Sequence, residues 1–401
     1  MSEVEGRFFD FRPFGPRDPD EVHRAATPLE LFFDLVTVIA IASAAVGLHH
    51  GIAENHAAQA IPVFLVAFTA IWWAWMNYTW YASAYDNDGP LYRLLTFWIM
   101  GGALLLAASV PRFFDGMDLR LPVLAFVIMR VGMIALWVIA ARHDSAHAAS
   151  ARRYAIGIAL AQVFWIVIVA LAPPQSPLLF ALIGLGFLAE FMVPVWAERV
   201  SPTPWHAEHI VERYGLLMII MLGEILLAGS IAFARAGDAI TLASPLVQIA
   251  VAALITAFSM WWLYFARNDH HRVHMQDRQL AFTWGYGHVI PFCSAAAVGA
   301  AIAVLVDIVT GHADISLRAG QWAIAVPLAA YMAGLWVIRD RFVLEGATRH
   351  ILLLFAALVL ATGLLPNGGL VALPVLALAS VWARSMLATR QRRRERADAG
   401  D

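Results

Sequence analysis

Apolar runs of about 20 residues, separated by short charged or Pro/Gly breaks, recur along nearly the whole of this 401-residue chain. A run of that length is what an α-helix needs to cross a hydrocarbon core of about 30 Å. Inside lipid only helices and closed barrels satisfy their own backbone hydrogen bonds. The runs fall at 28–48, 58–84, 91–110, 121–141, 153–172, 177–197, 213–234, 245–266, 281–306, 319–338, 349–365 and 368–388. They predict an all-α polytopic integral membrane protein with about 12 transmembrane helices. Composition agrees, with 61% hydrophobic and 14% charged residues. A soluble domain carries roughly 45–50% and 25%.

All 27 basic residues are arginine, and they are unevenly placed. With both termini inside, about 22 arginines fall on the cytoplasmic side and about 4 on the other, as the positive-inside rule requires of an even helix number. The predicted organisation is a cytoplasmic N-terminal segment (1–27), a first six-helix half (28–197), a cytoplasmic linker (198–212), a second half (213–388) and a basic cytoplasmic tail (389–401). The N-terminal segment has no apolar core followed by a small-residue cleavage site, so the first helix is expected to act as the insertion signal. The tail reads as an orientation signal facing lipid headgroups; no nucleic-acid partner is expected.

Internal similarity supports two halves. IWWAWMN (71–77) matches MWWLYFA (260–266) at an offset of 189, and LFFDLVT (31–37) lies opposite MLGEILL (221–227) at an offset of 190. Six helices separate the copies, which predicts a 6+6 parallel repeat about an axis along the membrane normal. It sets Asp34 against Glu224, and Trp72 and Trp73 against Trp261 and Trp262.

Ionisable groups within such helices are costly, and they face a partner or a wet cavity. Glu30 and Asp34 share one helix face, Glu30 nearer the aqueous end and within reach of interfacial water. Glu224 stands at comparable depth in the seventh run, beside Gly223, which permits close approach by a neighbour. Arg130 reads as the one basic side chain well inside a helix and needs a carboxylate; Asp34 and Glu224 are the first choices and Glu190 the third. His288, between Gly287 and Pro291, is a candidate proton relay or a hydrogen-bonded structural histidine. Trp75, Tyr78 and Tyr81, in an aromatic run too long for an interfacial belt alone, are candidates for packing or for lining a vestibule.

Two polar loops are less telling. Asp269, His270, His271, His274 and Asp277 have spacings that suit a divalent metal, yet interleaved arginines argue for a solvated loop. His206, Glu208, His209 and Glu212 read as an interfacial loop. The single cysteine, Cys293, can build neither a disulfide framework nor a thiolate metal site. No Walker motif, G-x-G-x-x-G segment, H-E-x-x-H signature or nucleophile elbow is present, and no cofactor is expected.

TPLELFFDLVTVIAIA, ERYGLLMIIMLGEILL, WWLYF and YGH together resemble the bacterial low temperature requirement A (LtrA) family, from about residue 24 to 388. The matching positions are Glu30, Asp34, Glu212, Arg213, Gly223, Glu224, Tyr264, Gly287 and His288. The chain departs from the family's Gly-Glu-Ser, since Ile225 follows Glu224. The resemblance implies a multi-pass protein of the bacterial inner membrane, linked by name to growth in the cold, and carries over no biochemical activity.

The residues themselves point first to a transporter or ion- or proton-coupled permease with a central site on Asp34 and Glu224, in contact with membrane lipids and an unidentified small solute or ion. An intramembrane enzyme acting on a hydrophobic substrate, and a scaffold whose buried charges only fix helix packing, are the alternatives.

Overall fold

The protein is described by a computed structural model covering residues 15–18, 21, 24–172, 176–237, 241, 243–266, 278–365 and 369–398. Among these residues the regular elements are all helices. Those of ten or more residues are α1 Pro28–Ala53, α2 Ala57–Tyr85, α3 Pro90–Gly116, α4 Arg120–His143, α5 Ala148–Leu171, α6 Pro177–Ala197, α7 Ala207–Arg235, α8 Pro245–Phe265, α9 Arg278–Gly287, α10 Val289–Thr310, α11 Leu317–Leu335, α12 Ile351–Thr362 and α13 Gly369–Asp398. Eleven stretches are long and apolar enough to span a membrane, one of them α9 and α10 taken together across His288; the remaining run, Gly346–Thr362, is shorter. The chain is a multi-pass, all-α membrane protein.

These helices are apolar all round, so hydrophobicity does not say which side faces the protein. Polarity and side-chain size do. On α1 the buried face carries Glu30, Phe33, Asp34, Thr37 and Ile41, whereas Phe32, Leu35 and Ile39 are exposed where lipid would lie. Helix starts follow local chemistry. Pro90, Pro177 and Pro245 occupy the first turn, where a missing N–H costs nothing, and the side chains of Ser176 and Ser316 accept from Leu179 N–H and Ala319 N–H.

The chain divides into two compact units, residues 1–44 with 66–213, and residues 45–65 with 214–401. In the first, consecutive helices α3 to α6 pack side by side. Glycine permits the close approach of α3 to α4: a Cβ on Gly102 would meet Met129 at 2.5 Å, and one on Gly132 would meet Ile99 at 2.6 Å. In the second unit α10, α11, α12 and α13 pack in succession and α13 also lies against α8.

Two local expectations are corrected. Residues 207–212, read as linker, are helical and form the first turns of α7. Gly223 meets no neighbour and is exposed; the close approach is made by Gly299, whose Cβ position lies 3.6 Å from Glu224. The two Trp-Trp pairs have opposite surroundings, since Trp72 and Trp73 are buried while Trp261 and Trp262 are 47% and 55% exposed.

Candidate functional site

The first unit holds the densest buried charge. Thr27 caps α1, and Glu30 closes the capping box: Glu30 N–H donates to Thr27 Oγ1 (3.3 Å) and Thr27 N–H to Glu30 Oε2 (2.8 Å). One turn on, Asp34 lies on the same face. Helix α7 presents His209 and Arg213, also one turn apart, to that face. Arg213 Nη2 and Nε donate to Asp34 Oδ1 (2.5 Å) and Oδ2 (3.2 Å), and Nη1 stands 2.9 Å from Glu30 Oε1. His209 Nε2 lies 3.2 Å from Glu30 Oε2, and from α2 the Trp75 indole donates to Asp34 Oδ1 (2.7 Å). Glu30, Asp34, His209 and Arg213 are all 0% exposed. Glu30 therefore does not reach interfacial water, and Trp75 contacts a carboxylate rather than a vestibule. Tyr78 stacks on Phe33 at 4.0 Å and shares its hydroxyl with Tyr92 (2.9 Å) and Thr96 (3.2 Å), closing the cluster beside α3.

The aqueous end is covered by residues before α1. Arg24 donates to the carbonyls of Ser83 and Ala82, and His206 contacts the Glu21 carbonyl at 2.8 Å. Asp86, just past the end of α2, is 2% exposed. Burial, reinforced by the negative charge of Glu30, pushes its carboxyl up from 3.8 to about 6. Between those values the folded state keeps a proton that the unfolded chain has released, so stability falls as pH rises through this window. The expected loss from pH 4 to above pH 6 is about 3 kcal/mol, and Asp86→Asn should flatten that slope in pH-resolved thermal unfolding.

Arg130 pairs with neither Asp34 nor Glu224. Its partner is Glu190 of α6, at 3.3 Å, and both side chains are 1% exposed. Sequence gives depth along a helix but not the direction a residue faces, which is why the third choice is the partner. Glu190 also accepts from Trp73 (3.0 Å), Gln162 (2.9 Å) and Trp165 (3.3 Å). Arg130 is further held over the Phe126 ring at 4.6 Å.

The second unit carries a cluster that sequence reading misses. Arg384 of α13 donates to both oxygens of Asp340 (2.9 and 2.8 Å), and Arg339 donates to Oδ1 (2.7 Å) and to the Leu263 carbonyl (2.6 Å). Asp340 is 0% exposed. Arg130 is thus not the one fully buried arginine. Arg213, Arg339 and Arg384 lie near the ends of apolar runs, where charge is expected, and burial is invisible to hydropathy. Glu224, by contrast, is half-buried and has no hydrogen-bond or ion-pair partner among the described residues. His288 sits at the break between α9 and α10, its Nδ1 2.7 Å from the Trp284 carbonyl, ringed by Tyr214, Tyr264, Trp284 and Phe292. Asp269, His270, His271, His274 and Asp277 lie outside the described residues; among those described, no three His, Cys, Asp or Glu side chains group as metal ligands.

Residues 25–388 match the family described as bacterial low temperature requirement A protein. The chain belongs to the LtrA family. It is also similar to a curated uncharacterized protein of Rhizobium meliloti, 28% identical over 289 residues that cover 67% of each chain. Of the positions that carry the LtrA resemblance, Glu30, Asp34 and Arg213 are brought together in one cluster, and Tyr264 and His288 meet in another. Glu212 is exposed beside Arg213. Gly287 sits where a Cβ would meet Ile338 at 2.6 Å, a packing position.

Proposed function

We propose that this LtrA-family protein is a proton-coupled permease of the bacterial inner membrane, with both termini cytoplasmic, whose coupling site is Glu30, Asp34, His209 and Arg213. The observation that supports it is a charge count. Two carboxylates share one guanidinium in the protein interior, with an imidazole in contact. Fully ionised with a neutral histidine, the cluster carries one excess negative charge, which a buried site relieves by taking a proton on the histidine or on a carboxylate. Binding and release of that proton changes the net charge inside the bilayer and so biases the helices that hold it. The arginine-rich flanks support the orientation.

Asp34→Asn is the informative variant because it leaves Glu30 and Arg213 as a neutral pair, so the protein keeps its fold. In proteoliposomes carrying a pH-sensitive dye and an imposed potassium-diffusion potential, the wild type is expected to take up protons. Asp34→Asn and His209→Gln should each lower the rate by about 10-fold or more, as loss of a proton-relay group does. Wild-type rates in both variants would overturn the assignment. The same variants losing thermal stability without any change in flux would favour a purely structural role.

A further inference from the structure

In the second unit, helices α7 and α8 touch at two levels and part between them. A Cβ on Gly229 would meet Ala253 at 2.9 Å, and one on Gly215 would meet the Phe265 ring at 3.2 Å. Between these contacts, from Ile219 to Leu226 on α7 and from Ile255 to Trp262 on α8, a groove of about 580 Å³ opens, with Leu378 and Val381 of α13 as its third wall. Each stretch is about 10 Å long at a rise of 1.5 Å per residue. Apart from Ser259, whose hydroxyl is buried, the lining is aliphatic and aromatic. The volume falls within the range of about 300–1,000 Å³ found for ligand sites.

The groove is open on its outer side, where lipid would lie. Ile219, Leu226, Phe258, Trp261 and Trp262 form that rim and are between 39% and 58% exposed. The two indoles stand near the C-terminal end of α8, and tryptophan favours the level of the lipid headgroups. The same end carries the excess charge of the Asp340 cluster. Arg339 donates to the Leu263 carbonyl (2.6 Å), one residue past Trp262, and Arg384 lies one helical turn past Val381 on α13. Asp340 neutralises one of these two guanidinium groups and leaves one positive charge in excess. Both groups are buried, so they act on a headgroup through the field across low-dielectric protein and not by contact.

We propose that this groove holds one acyl chain of an anionic phospholipid, with the phosphate of its headgroup at the level of Trp261 and Trp262. The apolar walls select a hydrocarbon chain over a polar solute, and the excess charge at one end selects the headgroup. The inference goes beyond the proton reading and does not depend on it.

Native mass spectrometry of the full chain, after incubation in detergent with equal amounts of phosphatidylglycerol and phosphatidylcholine of the same chain length, tests the site. The wild type is expected to retain one phospholipid, with phosphatidylglycerol favoured about 5-fold, the equivalent of about 1 kcal/mol for one basic residue near an anionic headgroup. Leu226→Trp and Ile219→Trp, each at a half-exposed position of the wall, fill the groove and should cut retention of both lipids by about 10-fold or more, the equivalent of about 1.4 kcal/mol. Leu160→Trp, on the exposed face of α5 away from the groove, should retain lipid as the wild type does. Arg384→Gln removes the excess charge and should bring the two lipids to parity. Asp34→Asn should match the wild type, so a failed proton assay leaves this result standing. No retained lipid, equal retention of the two lipids by the wild type, or wild-type retention by both groove variants would overturn the proposal. A loss of the same size in Leu160→Trp would assign the retained lipid to the general lipid shell and overturn it as well. An undiminished preference in Arg384→Gln would overturn the part given to the charge.

Discussion

Arg213→Leu is expected to destabilise the folded protein by about 3–5 kcal/mol, because it leaves Glu30 and Asp34 buried on one helix face with no compensating cation. The size of the effect comes from what remains, not from what is removed. Breaking one partner of a buried ion pair strands the other charge, while replacing the whole group by neutral side chains of similar volume is close to neutral. The combined variant Glu30→Gln, Asp34→Asn, Arg213→Met should therefore recover most of the loss, though the changed Glu30 still has to close the capping box with Thr27. Chemical or thermal unfolding in detergent, followed by tryptophan fluorescence, reads both variants. A single variant as stable as the wild type would mean that the carboxylates are already neutral, and the charge count behind the coupling site would fail with it.

A second large effect is expected at Asp340, and its asymmetry is the informative part. Asp340→Asn removes the one carboxylate holding Arg339 and Arg384, leaving two guanidinium groups buried side by side; about 3–5 kcal/mol should be lost. Arg384→Gln removes a cation from a cluster that has one to spare, because Arg339 still neutralises Asp340 and is anchored on the Leu263 and Tyr264 carbonyls. Its cost should be well under half as large. Equal losses from the two variants, measured under the same unfolding conditions, would contradict the charge balance described for this cluster.

How much of this is legible in the sequence follows from what hydropathy measures. Helix existence comes through clearly, since an apolar run of membrane length has few alternatives; the run at 349–365 yields a shorter helix, Gly346–Thr362. Depth is legible too: Asp34 and Glu190 interrupt apolar runs and are buried as expected. Direction is not. Asp34 and Glu224 occupy matching positions of the candidate repeat, yet one is fully enclosed by Arg213 and Trp75 and the other is half-exposed. His209 reads as part of an interfacial loop, and Arg213 stands out only through the family resemblance, because AEHIVER is polar enough to resemble a loop. It is an amphipathic extension of α7, with Glu208 and Glu212 outward and His209 and Arg213 inward. The helical spacing of these four residues, rather than the polarity of the stretch as a whole, is the signal that identifies them.

The end of α11 shows how the Asp340 cluster depends on geometry as well as on residue type. Residues Trp336–Asp340 form a widened π-helical turn, and Ile338, Arg339 and Asp340 are all buried within it. In a regular α-helix consecutive residues are rotated by about 100°, so three in a row do not share an interior face. Deleting one residue here would restore the ordinary pitch and leave the residues beyond the turn close to their present phase, but neighbouring side chains within it would again be spread by about 100°. Helical phase is thus a component of the ion cluster, since the wide turn is where Arg339 and Asp340 are buried side by side.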